Sequence, residues 1–113
     1  MMYQYYSPIY LEEHLLLASE IAELYGIYTE QDLPHARLIT ALINQKKYIV
    51  PKELDIPFYY HSSKDLLKVY PKCLYEQVIN DFFKQIEPLK EEIKTIKITL
   101  GQKSTNYKFK LKK

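Results

Sequence analysis

The stretch KTIKITLGQKSTNYKFKLKK, residues 94–113, alternates apolar and mostly basic side chains on both sides of a short polar loop. Ile96, Ile98 and Leu100 alternate with Lys97 and Thr99. Tyr107, Phe109 and Leu111 alternate with Lys108, Lys110 and Lys112. A period of two in both arms is the signature of strands. Gly101 to Asn106 have the composition of a turn, so arms 95–100 and 107–112 are expected to form an antiparallel β-hairpin. The large apolar side chains need a core, which turns the lysines outward together.

Working outward, the charge is as uneven as the pattern. Residues 90–113 hold eight lysines and two glutamates, whereas residues 1–89 hold eight basic and twelve acidic groups. The net charge of +2 therefore hides a local basic excess in the hairpin, and local charge is what attracts a polyanion. The 113 residues fit a single domain, 1–113, and 47% hydrophobic residues exclude a disordered chain. A single cysteine, Cys73, rules out an internal disulfide and favours an intracellular, cytoplasmic site, the host cytoplasm if the chain is viral. No stretch approaches the roughly 20 apolar residues of a membrane span, and the LLLA run at 15–18 is too short for a signal peptide.

Upstream of the hairpin, helical spacing dominates. Ser7-Pro8 can open a helix over 8–25, with Leu11, Leu15, Ala18, Ala22 and Tyr25 on its stripe and Gly26 at its end. A second helix is expected from about Leu33 to Gln45, capped by Asp32, with Leu38, Ile39, Leu42 and Ile43 inside. Residues 48–60 read as edge strands or irregular extended chain, because Pro51 and Pro57 cannot donate to a ladder. Ser62 and Asp65 fit a capping box opening a short helix over 62–70. Pro71 then starts a longer helix over 72–86, with Leu74, Val78, Phe82 and Ile86 on one stripe.

The expected fold class is α+β: a predominantly helical small domain with a C-terminal antiparallel β-hairpin. From residue 32 the element order resembles the winged helix-turn-helix architecture, rather than any one family. In that resemblance 1–31 is an N-terminal helical extension and 32–113 the winged-helix-like unit, with 72–86 as recognition helix and the hairpin as wing.

The resemblance implies a small nucleic-acid-binding protein, a DNA-binding transcription regulator or a viral or mobile-element factor. Lys97, Lys103, Lys108, Lys110 and Lys112 would meet the phosphate backbone of duplex DNA, while Gln77, Asn80 and Lys84 would face a groove. Lysine positions a protein on a backbone and specifies little sequence. The bland alternative for these lysines is a solvated strand face that blunts an edge. One weakly basic module implies a homodimer, and the wide apolar stripe of 8–25 can supply its interface.

Tyr3, Tyr5, Tyr6, Tyr59 and Tyr60 lie outside the core stripes and can stack on unpaired bases. They have few basic neighbours in sequence, which favours packing or a partner interface. His14, His35, His61 and Cys73 form no metal-ligand spacing, and no cofactor motif occurs. No glycine-rich phosphate loop or nucleophile–base pair points to an enzyme. The alternative to nucleic-acid binding is a non-enzymatic protein-interaction module, such as a viral or plasmid-encoded inhibitor or adaptor with a protein partner.

Overall fold

The computed structural model describes residues 15–54, 58–61 and 66–112, with backbone alone at 53, 58, 60 and 61. In chain order these residues form β1 (Leu16–Leu17), α1 (Ala18–Leu24), β2 (Ile27–Tyr28), α2 (Ala36–Asn44), a 3-10 turn (Lys52–Leu54) and β3 (Phe58–His61). β4 (Leu66–Tyr70), α3 (Lys72–Ile86), β5 (Lys94–Leu100) and β6 (Lys103–Leu111) follow. The fold is α+β with two three-stranded antiparallel sheets, ordered β1-β4-β3 and β2-β6-β5.

The C-terminal hairpin forms as its alternation requires, but its turn is tighter than expected. Leu100 pairs with Lys103, so only Gly101 and Gln102 connect the strands, and Lys103 to Asn106 belong to β6. Gly101 has φ 62°, the positive value that a two-residue hairpin turn demands of its first central residue. Ile96, Ile98 and Phe109 on the inner face are buried. The Phe109 ring lies 5.2 Å from that of Phe82 on α3. Phe82, Val78, Ile79 and Ile86 bury the predicted stripe of α3, joined by Tyr75, against Ile21, Leu38, Ile39 and Leu42. Fully burying each such aliphatic or aromatic side chain is worth roughly 1.5–3 kcal/mol.

Three expectations are corrected. The helix expected over 62–70 is not formed at its described residues: 66–70 is strand β4, and 62–65, with the Ser62–Asp65 capping box, lies outside the described residues. The segment LLKVY precedes Pro71, and the residue before proline is pushed out of the helical region. β4 also has a strand on each side: β3 pairs along Leu66–Val69, and β1 pairs with Val69 and Tyr70. The N-terminal helix is likewise shorter where it is described. Leu16–Leu17 pair with β4, and α1 begins at Ala18 after the Glu20 carboxylate accepts the Leu17 N–H at 2.8 Å. Residues 8–14 lie outside the described chain. Finally, α2 is capped by His35, not Asp32, which sits in the preceding turn at φ 65°.

Residues 16–31, read from sequence as an extension, are built into the domain. Ile21, Ala22 and Ile27 belong to the main core, and β2 adds to the hairpin through Ile27–Leu111 and Tyr28–Lys110 pairs. Gly26 joins α1 to β2 at φ 71°, and a Cβ there would collide with the Lys112 carbonyl oxygen. Leu54 and Val69 make a second, smaller core with Leu15, Leu17 and Cys73 beneath the β1-β4-β3 sheet.

Candidate nucleic-acid interface

The register of β5 and β6 divides the predicted lysines between two faces. Thr95 lies opposite Lys108, Lys97 opposite Asn106, and Thr99 opposite Ser104. These residues form the outer face, because Lys94–Phe109, Ile96–Tyr107 and Ile98–Thr105 occupy the face toward the core. Lys97 and Lys108 are diagonal neighbours there, both exposed, and neither has an ion-pair partner among the described residues. Hydroxyl and amide side chains surround them, with Thr99 and Ser104 hydrogen-bonded at 2.8 Å. Lys103 is exposed beside the turn but on the opposite face, in line with Leu100.

Lys110 and Lys112 are already engaged. The Asp32 carboxylate pairs with Lys110 at 2.6 Å and with Lys112 at 2.8 Å. Hydrogen bonds from these two ammonium groups hold the Asp32 carboxyl down at about 2. The Lys112 ammonium also stands 4.7 Å over the Tyr28 ring, which β2 places beside Lys110. A tight turn aims Asp32: the Asp32 and Leu33 N–H groups donate to the Thr29 carbonyl and Thr29 Oγ1, at 3.0 and 3.2 Å.

His35 fastens the same strand from inside. Its Nδ1 accepts the Leu38 N–H at 3.3 Å, capping α2, which assigns the proton to Nε2, 3.0 Å from the Lys108 carbonyl oxygen. Burial holds the imidazole below its ordinary pKa. Sequence reasoning missed both Asp32 and His35 as partners of the hairpin. No local signal marks them, since each acts on residues more than seventy positions downstream.

The helix residues fare differently. Gln77 is committed within the fold: its Nε2 donates to the Ile49 and Cys73 carbonyl oxygens at 2.6 and 2.8 Å, and its Oε1 accepts the Ile49 N–H at 3.4 Å. Asn80 and Lys84 are exposed on a stripe with Lys72 and Glu76. At 100° per residue, Asn80 and Lys84 both stand about 160° around α3 from Phe82, which packs on β6. The polar stripe of α3 and the outer lysine face therefore point in opposite directions. Beside that stripe, Asp81 accepts from Tyr48 at 3.0 Å and from Gln85 at 2.8 Å and pairs with Lys47 at 3.1 Å. Burial acts to raise the Asp81 pKa, but these donors outweigh it and hold the carboxyl below its ordinary range.

Among the described residues no group of three or more His, Cys, Asp or Glu is placed to hold a metal ion. No described helix is long and apolar enough to cross a membrane. Comparison of the chain with protein-family models, curated proteins and solved structures finds no match.

Proposed function

We propose that the chain is a winged-helix-type nucleic-acid-binding domain that grips the duplex DNA backbone with the outer face of its β5–β6 hairpin. The observation that carries this reading is the pair Lys97 and Lys108, exposed on one sheet face among hydroxyl and amide side chains and without ion-pair partners among the described residues. Such a face offers cations and hydrogen-bond donors to phosphate oxygens.

The topology supports the winged form with different elements from those expected. α1, β2, α2, α3, β5 and β6 give the order helix, strand, helix, helix, strand, strand, and β2 joins the hairpin across β6. Residues 45–71, which include β3 and β4, then form an insertion before α3. Because the α3 stripe faces away from the outer lysines, the hairpin makes the contact without Asn80, Lys84 or the engaged Gln77. The domain would serve a regulator or a viral or mobile-element factor, and two copies would supply the affinity one weakly basic face lacks.

Fluorescence anisotropy with random-sequence duplex DNA across a salt series tests this. Affinity is expected to fall steeply with salt, and a K97E/K108E variant is expected to lose about two units of slope. A variant that binds like the parent would refute the role of the hairpin. A protein-interaction module is favoured by a different observation: Tyr59, Leu66 and Leu67 are 41%, 61% and 36% exposed on the β3–β4 ribbon. Absence of DNA binding by the parent at low salt would leave that reading in place.

A further inference from the structure

A concave feature lies away from the hairpin, between the end of α2 and the β3–β4 ribbon. It is a groove of about 600 Å³, within the range of small-molecule sites. Tyr48, Tyr59 and Tyr70 line it, with Lys46 and Lys68 and with Asn44 from the last turn of α2. Strand pairing sets Tyr59 directly across from Lys68. Tyr70 lies two residues along from Lys68 on the same face, and the Lys68 ammonium stands 5.6 Å over its ring. Tyr59 has few basic neighbours in the sequence, and folding brings Lys68 of β4 and Lys46 after α2 to the same groove.

The chemistry of the lining selects among ligands. Tyrosine rings bind either cations or planar aromatic groups. The charged side chains described in the lining are the lysines Lys46 and Lys68, which repel a cation. Asp81, which the Tyr48 hydroxyl reaches at 3.0 Å, is paired with Lys47 at 3.1 Å. The carbonyl end of α2 disfavours an anion beside it, and the Lys46 ammonium, two residues past Asn44, offsets this. A planar apolar body carrying an anion satisfies the whole lining.

We propose that this groove binds a nucleotide unit, its base against the tyrosine rings and its phosphate on Lys46 and Lys68. The unit can be a free mononucleotide or an unpaired residue of a single strand. The site is separate from the hairpin face and does not depend on it.

The test uses 15N-labelled full-length K97E/K108E protein, in which the exposed hairpin lysines are reversed. It is titrated with a mixed-sequence single-stranded DNA octamer and, separately, with adenosine monophosphate. Amide shifts are expected at Lys46, Tyr48, Tyr59 and Lys68. Tyr59→Ala and Lys68→Glu change exposed side chains and are expected to keep the parent circular dichroism spectrum. Each should weaken binding about tenfold or more, as loss of one base stack does. Shifts with both ligands assign a free-nucleotide site, and shifts with the octamer alone assign a strand site; either supports the proposal. Absence of shifts at the groove with both ligands, or binding that survives both variants, overturns it. Duplex binding by the parent chain is measured separately, so failure here leaves the hairpin reading standing, and the reverse holds.

Discussion

His35 shows how much one side chain can join. It caps α2 through Nδ1, a bond that needs the neutral ring, and holds the β6 backbone through Nε2–H. Burial depresses its folded pKa below the ordinary value of 6.5. Over the window between the depressed value and 6.5, the unfolded chain binds more protons than the folded one. Stability therefore rises with pH through that window and is lost on acidification. Urea unfolding at pH 7 and pH 5 is expected to show this loss. A His35→Asn variant, which keeps a capping oxygen but does not titrate, is expected to show less of it.

Asp32 bears on the proposed DNA contact instead. It occupies Lys110 and Lys112, which would otherwise extend the row of Lys97 and Lys108. Exposed ion pairs contribute little to stability, so Asp32→Asn is expected to fold normally. Freed of their partner, the two lysines are expected to raise duplex affinity at low salt and steepen the salt slope by one to two units, roughly. Equal slopes for parent and variant in anisotropy titrations would show that these lysines never meet phosphate.

At the scale of the element, the hairpin makes adjacent residues opposite in kind. Phe109 is fully buried against Phe82, and Lys108 beside it points to solvent. Phe109→Ala is expected to cost about 3–5 kcal/mol, a large share of the 5–15 kcal/mol typical of a domain, visible as a collapse of the thermal midpoint. Lys108→Ala should change stability by less than about 0.5 kcal/mol while weakening DNA binding. A large loss of stability in Lys108→Ala would show that the strand is not held in this register. This alternation was legible in the sequence because a strand repeats every two residues and one face must be dry. The same reasoning recovered α3 and most of α2 from their helical stripes. It failed for Leu66–Tyr70, whose five residues are too few to distinguish a helix turn from a strand.

At the scale of the whole molecule, the described residues form two cores of unequal size. The main one gathers α1, α2, α3 and the hairpin, whereas the ribbon side rests on Leu54 and Val69 with a few half-buried neighbours. Regions with fewer buried apolar contacts open at lower free energy. Amide hydrogens of β3 and β4 are accordingly expected to exchange faster than those of α2, α3 and β6 in hydrogen-exchange mass spectrometry. Uniform protection would mean that both cores open as one unit. The nucleotide groove lies at this less protected junction, and a bound ligand there is expected to slow exchange in β4.

What the sequence determined by itself is what its periodicities encode: the hairpin, the helix at 72–86, the buried stripe of α2 and the outward lysines. Each follows from side chains close in the chain that must share one dry face. Tertiary structure decided the rest. It made Leu66–Tyr70 a strand, because β3 pairs along Leu66–Val69 and β1 pairs with Val69 and Tyr70 on the other edge. It also engaged Lys110 and Lys112 while leaving Lys97 and Lys108 without ion-pair partners among the described residues, and it gave Tyr59 its lysines. A repeat fixes which face a side chain takes, but the partner across that face comes from a distant segment brought near only by folding.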